Sequence, residues 1–217
     1  MSIDAELLDL AAGLFLLAAV AILWRRDIAA QTKWLTAQGV ALTAIAVILG
    51  ADERHPELYA VAAGVGLLRA VILPALVRRA IAARAEDRET APLINVDASL
   101  LTAAALVLLA YAVAQPLVRL EATAAARALP VGLAVVLIGL LVLVTRRKAL
   151  SQIVGFLLLD NGITATAFLA AAGVPLIVEL GISFDLLLVV LVLQVLTTRL
   201  RAVFGNSDLD ELRELHD

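Results

Sequence analysis

The sequence predicts an all-α, polytopic membrane protein with about seven transmembrane helices, and three observations predict it. Of 217 residues, 63% are hydrophobic and 17% charged, and mean hydropathy is +1.00, whereas soluble domains are only about half apolar. Apolar residues gather into seven segments, each close to the roughly 20 residues that cross a hydrocarbon core. The polar connections are short, the longest being RRAIAARAEDRETAP at 78–92 and the tail GNSDLDELRELHD at 205–217. The chain, 1–217, is therefore expected to form one transmembrane domain.

The first span, 5–24, begins within MSIDAELLDL, which has acids and no basic n-region, so it reads as a retained helix rather than a cleavable signal peptide. The second, 30–50, is diluted by Gln31, Lys33 and Gln38, and also carries Thr43. The third, 57–77, contains Arg69 with Gly64 and Gly66 before it and Pro74 after it. The fourth, 98–118, ends in Gln115–Pro116, and the fifth, 129–145, is the shortest. The sixth, 149–172, holds Asp160, Asn161 and Thr164. GVP at 173–175 marks a turn into the seventh, 176–198, with Glu179, Asp185 and Gln194.

Basic residues set the expected orientation. One side receives Arg25, Arg26, Lys33, Arg78, Arg79, Arg84, Arg88, Arg146, Arg147, Lys148, Arg199, Arg201 and Arg213; the other receives Arg54, Arg119 and Arg127. The positive-inside rule makes the richer side cytoplasmic, with the N-terminus outside and the C-terminus inside. Net charge of −3 says little, because the two faces carry opposite biases. The chain has no cysteine, which excludes disulfides, iron–sulfur clusters and thiolate metal sites. Its two histidines, His55 and His216, offer no haem or metal cluster, and no cofactor is expected in this chain. GVG at 64–66 lies in a membrane helix and lacks the strand–turn–helix setting of a phosphate loop. The basic residues are topological, so nucleic acid is not an expected partner, whereas the lipid bilayer is.

The chain partly matches itself at an offset of 121 residues: Arg25 meets Arg146, Arg26 meets Arg147, Gln31 meets Gln152 and Arg78 meets Arg199. Spans one to three thus resemble spans five to seven, as a parallel repeat of 1–80 and 125–203 with span four as connector. Cytoplasmic arginines at helix ends could produce part of the match by themselves.

The polar residues inside the spans are the candidate functional residues. A charge at the bilayer centre costs at least about 2.5–3.5 kcal/mol on insertion scales. Asp160 lies about ten residues into its span, near the midplane at 1.5 Å per residue, and its stem is too short to reach water. It is either a proton-exchanging carboxyl or a neutral acid bonding two helices together. Asp185 stands farther from the membrane boundary than Glu179, and the two are about 120° apart around their helix. Arg69 stays protonated, so it cannot carry protons but can hold a carboxylate ionised. It either clamps an acid, sets the charge of a relay, or snorkels toward Arg78–Arg79. Gln38, Thr43, Gln115 and Gln194 read first as packing or interface hydrogen bonds.

The run GFLLLDNGI…GVPLIVELGISFDLLLVVLVL resembles the membrane component E family of hydrogenase-4, found in formate hydrogenlyase-type complexes. Asp160–Asn161–Gly162, Pro175, Val178–Glu179, Gly181 and Asp185 match that pattern, as do Arg69 and Pro74 in LLRAVILPAL. Here arginine stands where a lysine is more familiar, and the acidic triplet opens with Asp where Glu is familiar. AQPL at 114–117 and the acidic LDELREL near the C-terminus also fit, so the likeness covers nearly the whole chain. Spans five to seven are similar to the small three-helix membrane subunit of respiratory complex I and its counterpart in cation/proton antiporters. That subunit carries a membrane glutamate about one turn earlier, where this chain has Leu157.

The resemblance implies a non-catalytic subunit in the bacterial inner membrane, partnered by large antiporter-like subunits and a membrane-anchored [NiFe]-hydrogenase-like module. It implies a buried proton or ion path through Asp160, Asp185, Arg69, Glu179, Asn161 and Gln38. Two alternatives stay open: a structural scaffold, or a subunit of a related antiporter-type complex. A self-contained transporter is disfavoured, because Pro74 meets Val195 rather than a proline at the repeat offset.

Overall fold

The computed structural model describes residues 3–53, 56–82, 95–120 and 123–171. Every described element is helical: α1 (Ile3–Trp24), α2 (Ile28–Glu53), α3 (Pro56–Val65), a π-helical segment (Gly66–Ile72), α4 (Leu73–Ala82), α5 (Val96–Leu120), α6 (Ala124–Thr145) and α7 (Ala149–Ala171). Six stretches are long and apolar enough to cross a membrane: Ile3–Trp24, Ile28–Ala51, Tyr59–Arg79, Val96–Leu120, Ala124–Thr145 and Ala149–Ala170. The protein is a multi-pass helical membrane protein. The expected seventh span, 176–198, with Glu179, Asp185 and Gln194, lies outside the described residues.

The fifth span is longer than the sequence predicts. It begins at Ala124 rather than 129, because Thr123 caps it: Thr123 is extended (φ −82°, ψ 162°) and its side chain accepts from the Ala126 amide at 3.1 Å. Arg127 and Pro130 lie inside this first part of the helix and lower its apparent hydropathy, although Pro130 itself is buried.

The helices form two hairpins, α1–α2 and α6–α7, set side by side so that α1 lies on α6 and α2 on α7. The third span, from α3 to α4, packs along α2, and α4 also reaches α7. Helix α5 packs on α6 and α1 through Ser99, Ala103, Ala110 and Ala114, and exposes most of its other residues.

Apolar residues on most sides of the helices leave close approach, rather than amphipathicity, to define the pairing. The α6–α7 hairpin is the tightest case. A Cβ on Gly139 would stand 2.5 Å from the Leu159 amide nitrogen, and one on Gly162 would stand 2.6 Å from that of Val136. Helix α1 supplies a contrast, since a Cβ on Gly13 would meet nothing within 4 Å. Gly139→Ala is therefore expected to destabilise the bundle by about 1–3 kcal/mol through overpacking. Gly13→Ala should be neutral or stabilising, by up to about 1 kcal/mol of helix propensity. Thermal unfolding of the two purified variants in one detergent checks the contrast; equal melting temperatures would contradict it.

Candidate functional site

Pro74 is the starting point of the site. It has no N–H for the carbonyl four residues back, and its ring crowds that carbonyl. The chain answers by widening the preceding turn: Gly66–Ile72 is π-helical, and the Leu73 amide donates to the Leu68 carbonyl five residues earlier. The widened turn carries Arg69, which is the largest fully buried side chain described. Gly39 of α2 lets this turn come close. A Cβ there would lie 2.7 Å from the carbonyl carbon and oxygen of Arg69.

Arg69 does not snorkel toward Arg78 and Arg79; it is 1% exposed. Its Nη1 donates to Asp160 Oδ2 in a buried ion pair. The same nitrogen donates to Asn161 Oδ1 at 2.7 Å, and Asn161 Nδ2 donates to Gln38 Oε1 at 2.9 Å. Asp160, Asn161 and Gln38 are all buried, and so is Thr164 one turn beyond. The chain of bonds therefore joins the third span, α7 and α2 across the interior of the bundle.

The amide orientations follow from donor chemistry. Guanidinium has donors only, so Asn161 must turn its oxygen to Arg69 and its nitrogen to Gln38. Gln38 must then offer its oxygen, which aims Nε2 elsewhere, and among the described residues that nitrogen meets no acceptor. Of the six residues expected on a polar path, four come together here: Arg69, Asp160, Asn161 and Gln38. Asp185 and Glu179 lie outside the described residues. Gln115 stands apart, exposed on α5 beside Tyr111 and Arg127.

A second polar group closes the arginine-rich end. Gln31 Nε2 donates to the Arg25 carbonyl at 2.7 Å, and Gln152 Nε2 donates to the Arg146 carbonyl at 3.0 Å. The same side chain thus spans the same six-residue interval at both hairpin turns. Arg146 ties the hairpins together: its Nη2 donates to the carbonyls of Leu23 at 2.7 Å and Arg25 at 3.3 Å. Asp27 caps α2 by accepting from the amides of Ala29 at 3.1 Å and Ala30 at 3.2 Å. Sequence reasoning missed this structural use of Arg146 and Asp27, and it missed Gly39. The available signals were an Asp immediately before an apolar helix and a glycine beside Gln38. Among the described residues, no cluster of histidine or carboxylate side chains could hold a metal ion.

Three relatives frame these residues. The chain is 53% identical over 212 residues to "Uncharacterized protein Rv0085" of Mycobacterium tuberculosis, covering 97% of this chain and 96% of that protein. It is more distantly homologous, 28% identical over 204 residues and 94% of both chains, to "Hydrogenase-4 component E" of Escherichia coli K12. The protein of that name from Shigella flexneri gives the same 28% identity over 204 residues. No family model matches the sequence. No solved structure matches it.

Removing one member of a buried ion pair leaves the other charge uncompensated and costs about 3–5 kcal/mol, whereas replacing both by apolar residues is often tolerated. Asp160→Leu and Arg69→Met should each lower thermal stability strongly, and the double variant should recover most of the loss. A double-mutant cycle from melting in detergent checks this; additive losses would show that the two side chains act independently.

Proposed function

The chain belongs to the same family as Rv0085 of Mycobacterium tuberculosis, and we propose that it is an integral membrane subunit of a hydrogenase-4-like, complex I-related assembly. In this role it contributes a buried polar path that couples the redox chemistry of a partner to proton or ion movement. The observation that carries the reading is the buried chain Arg69–Asp160–Asn161–Gln38. Apolar packing needs no such chain, and a midplane carboxylate beside a permanent cation is a common element of proton relays.

In this reading Asp160 exchanges the proton and Arg69 sets its electrostatic environment, stabilising the carboxylate when the proton has left. Asn161 holds the guanidinium in place and passes its polarity to Gln38. Asp185 and Glu179 belong to the same proposed path. The redox centre, the large antiporter-like subunits and the hydrogenase-like module lie in partner chains. The distant homology to hydrogenase-4 component E supports membership in such a membrane complex. We place the protein in the bacterial inner membrane with the arginine-rich end cytoplasmic, the N-terminus outside and the C-terminus inside. We also read 1–80 and 125–203 as parallel halves, supported by the matching glutamine bonds at the two turns.

Asp160→Asn separates coupling from scaffolding, because it keeps size and hydrogen bonding while removing the titratable group. The complex should still assemble, at a yield lowered by the loss of the counter-charge to Arg69, and each assembled complex should lose most of its gradient-linked activity. Arg69→Lys, which keeps the charge, should retain more activity than Arg69→Ala. Proton pumping and complex yield, measured in the same membranes, check both. Normal pumping per assembled complex in Asp160→Asn would reject the relay and leave a scaffold.

A further inference from the structure

Two buried glutamines of α2, Gln31 and Gln38, each end in an atom that has no hydrogen-bond partner among the described residues. Gln38 is fully buried, and its Nε2 meets no acceptor among the described residues. Gln31 is also fully buried, and its Oε1 meets no donor among them. Neither orphan is removed by turning the amide over. Gln31 bonds a backbone carbonyl, which accepts only, so its nitrogen must face Arg25. Gln38 is oriented by Asn161, which is oriented in turn by Arg69.

Gln31 and Gln38 are seven residues apart on one helix face, with a separation of about 10 Å along the axis. Leu35 falls between them on that face and is 1% exposed. Helices α2 and α7 run side by side, and the Gln38–Asn161 bond sets their register. That register puts Leu35 level with Leu158, which is fully buried, while Val154 and Leu157 fill the level toward Gln31. All four belong to the same core cluster. About three waters would span the gap at ordinary hydrogen-bond spacing. An apolar constriction of this kind excludes them until its side chains part.

We propose that Leu35 and Leu158 form a hydrophobic gate between the midplane cluster and the arginine-rich end, with Gln38 and Gln31 binding the waters that enter when it opens. Gln38 offers a donor and Gln31 an acceptor to the two ends of such a water chain. The gate rests on the proton-relay reading, since it supplies the route by which a proton from that end reaches Asp160. It adds a dry resting state, in which the relay is cut off from one face of the membrane. Closure then prevents a leak, and opening is the step on which coupling acts.

The chain lacks cysteine, so single introduced thiols report water access cleanly. The full-length protein is labelled in native membranes with a small charged methanethiosulfonate, applied separately to inside-out and right-side-out vesicles. Three reporters are used: Gln31→Cys on the near side of the gate, and Gln38→Cys and Thr164→Cys on the far side. Thr164 lies outside the hydrogen-bonded chain, so its variant serves even where Gln38→Cys does not accumulate. Gln31→Cys, on the arginine-rich side of the gate, should react faster from that face than the other two. Adding Leu35→Ser should speed the two slow reporters by about tenfold from that face while leaving Gln31→Cys unchanged. Far-side rates that do not change with Leu35→Ser, or that already equal the Gln31→Cys rate without it, overturn the gate. Labelling needs no turnover, so the two readings fail separately. Unchanged labelling beside a pump-dead Asp160→Asn rejects the gate alone. Gated labelling beside normal pumping by Asp160→Asn rejects the relay alone.

Discussion

An arginine cannot discard its charge, and Arg69 is fully inside the bundle. Most of the described interior follows from that constraint. A guanidinium removed from water needs acceptors, so the third span must approach α7 where Asp160 and Asn161 lie. The approach requires a widened turn, which Pro74 favours, and a flat surface on α2, which Gly39 provides. The bond from Asn161 to Gln38 then fixes α2 and α7 in register. Three spans are tied together by donors and acceptors that no apolar substitution would reproduce.

Buried ion pairs are poor devices for stability, because desolvation offsets much of their attraction. Under the proposed relay, the use of this pair is chemical rather than stabilising. The α6–α7 hairpin already packs closely at Gly139 and Gly162 without polar help. Arg146 joins the two hairpins at their arginine-rich end through the carbonyls of Leu23 and Arg25. The bundle therefore has structural ties besides the buried Arg69–Asp160–Asn161–Gln38 cluster.

Much of this was legible in the sequence. Charged residues inside apolar runs identified Arg69 and Asp160, and the next residue, Asn161, was singled out with them. Gln38 was visible only as a diluting polar residue; its bond to Asn161, 123 residues away, depends on which spans are neighbours. The same limit hid the choice between snorkelling and pairing for Arg69. Periodicity within one span cannot report a partner in another. Pro74 announced a perturbed helix but not its form, since a kink and a π-turn relieve the same clash. The start of α6 was obscured because Arg127 and Pro130 lower hydropathy where Thr123 nonetheless caps a helix. The equivalence of Gln31 and Gln152, visible as a repeated letter, became a repeated hydrogen bond.

The central claim is that Asp160 changes its protonation during turnover while paired with a fixed cation. Infrared difference spectroscopy on the intact complex, with and without a driven redox reaction, observes the carboxyl directly. The expected result is a turnover-dependent carboxylic-acid band that shifts with deuterium exchange and disappears in Asp160→Asn. A difference spectrum identical in the native complex and in Asp160→Asn would contradict the claim.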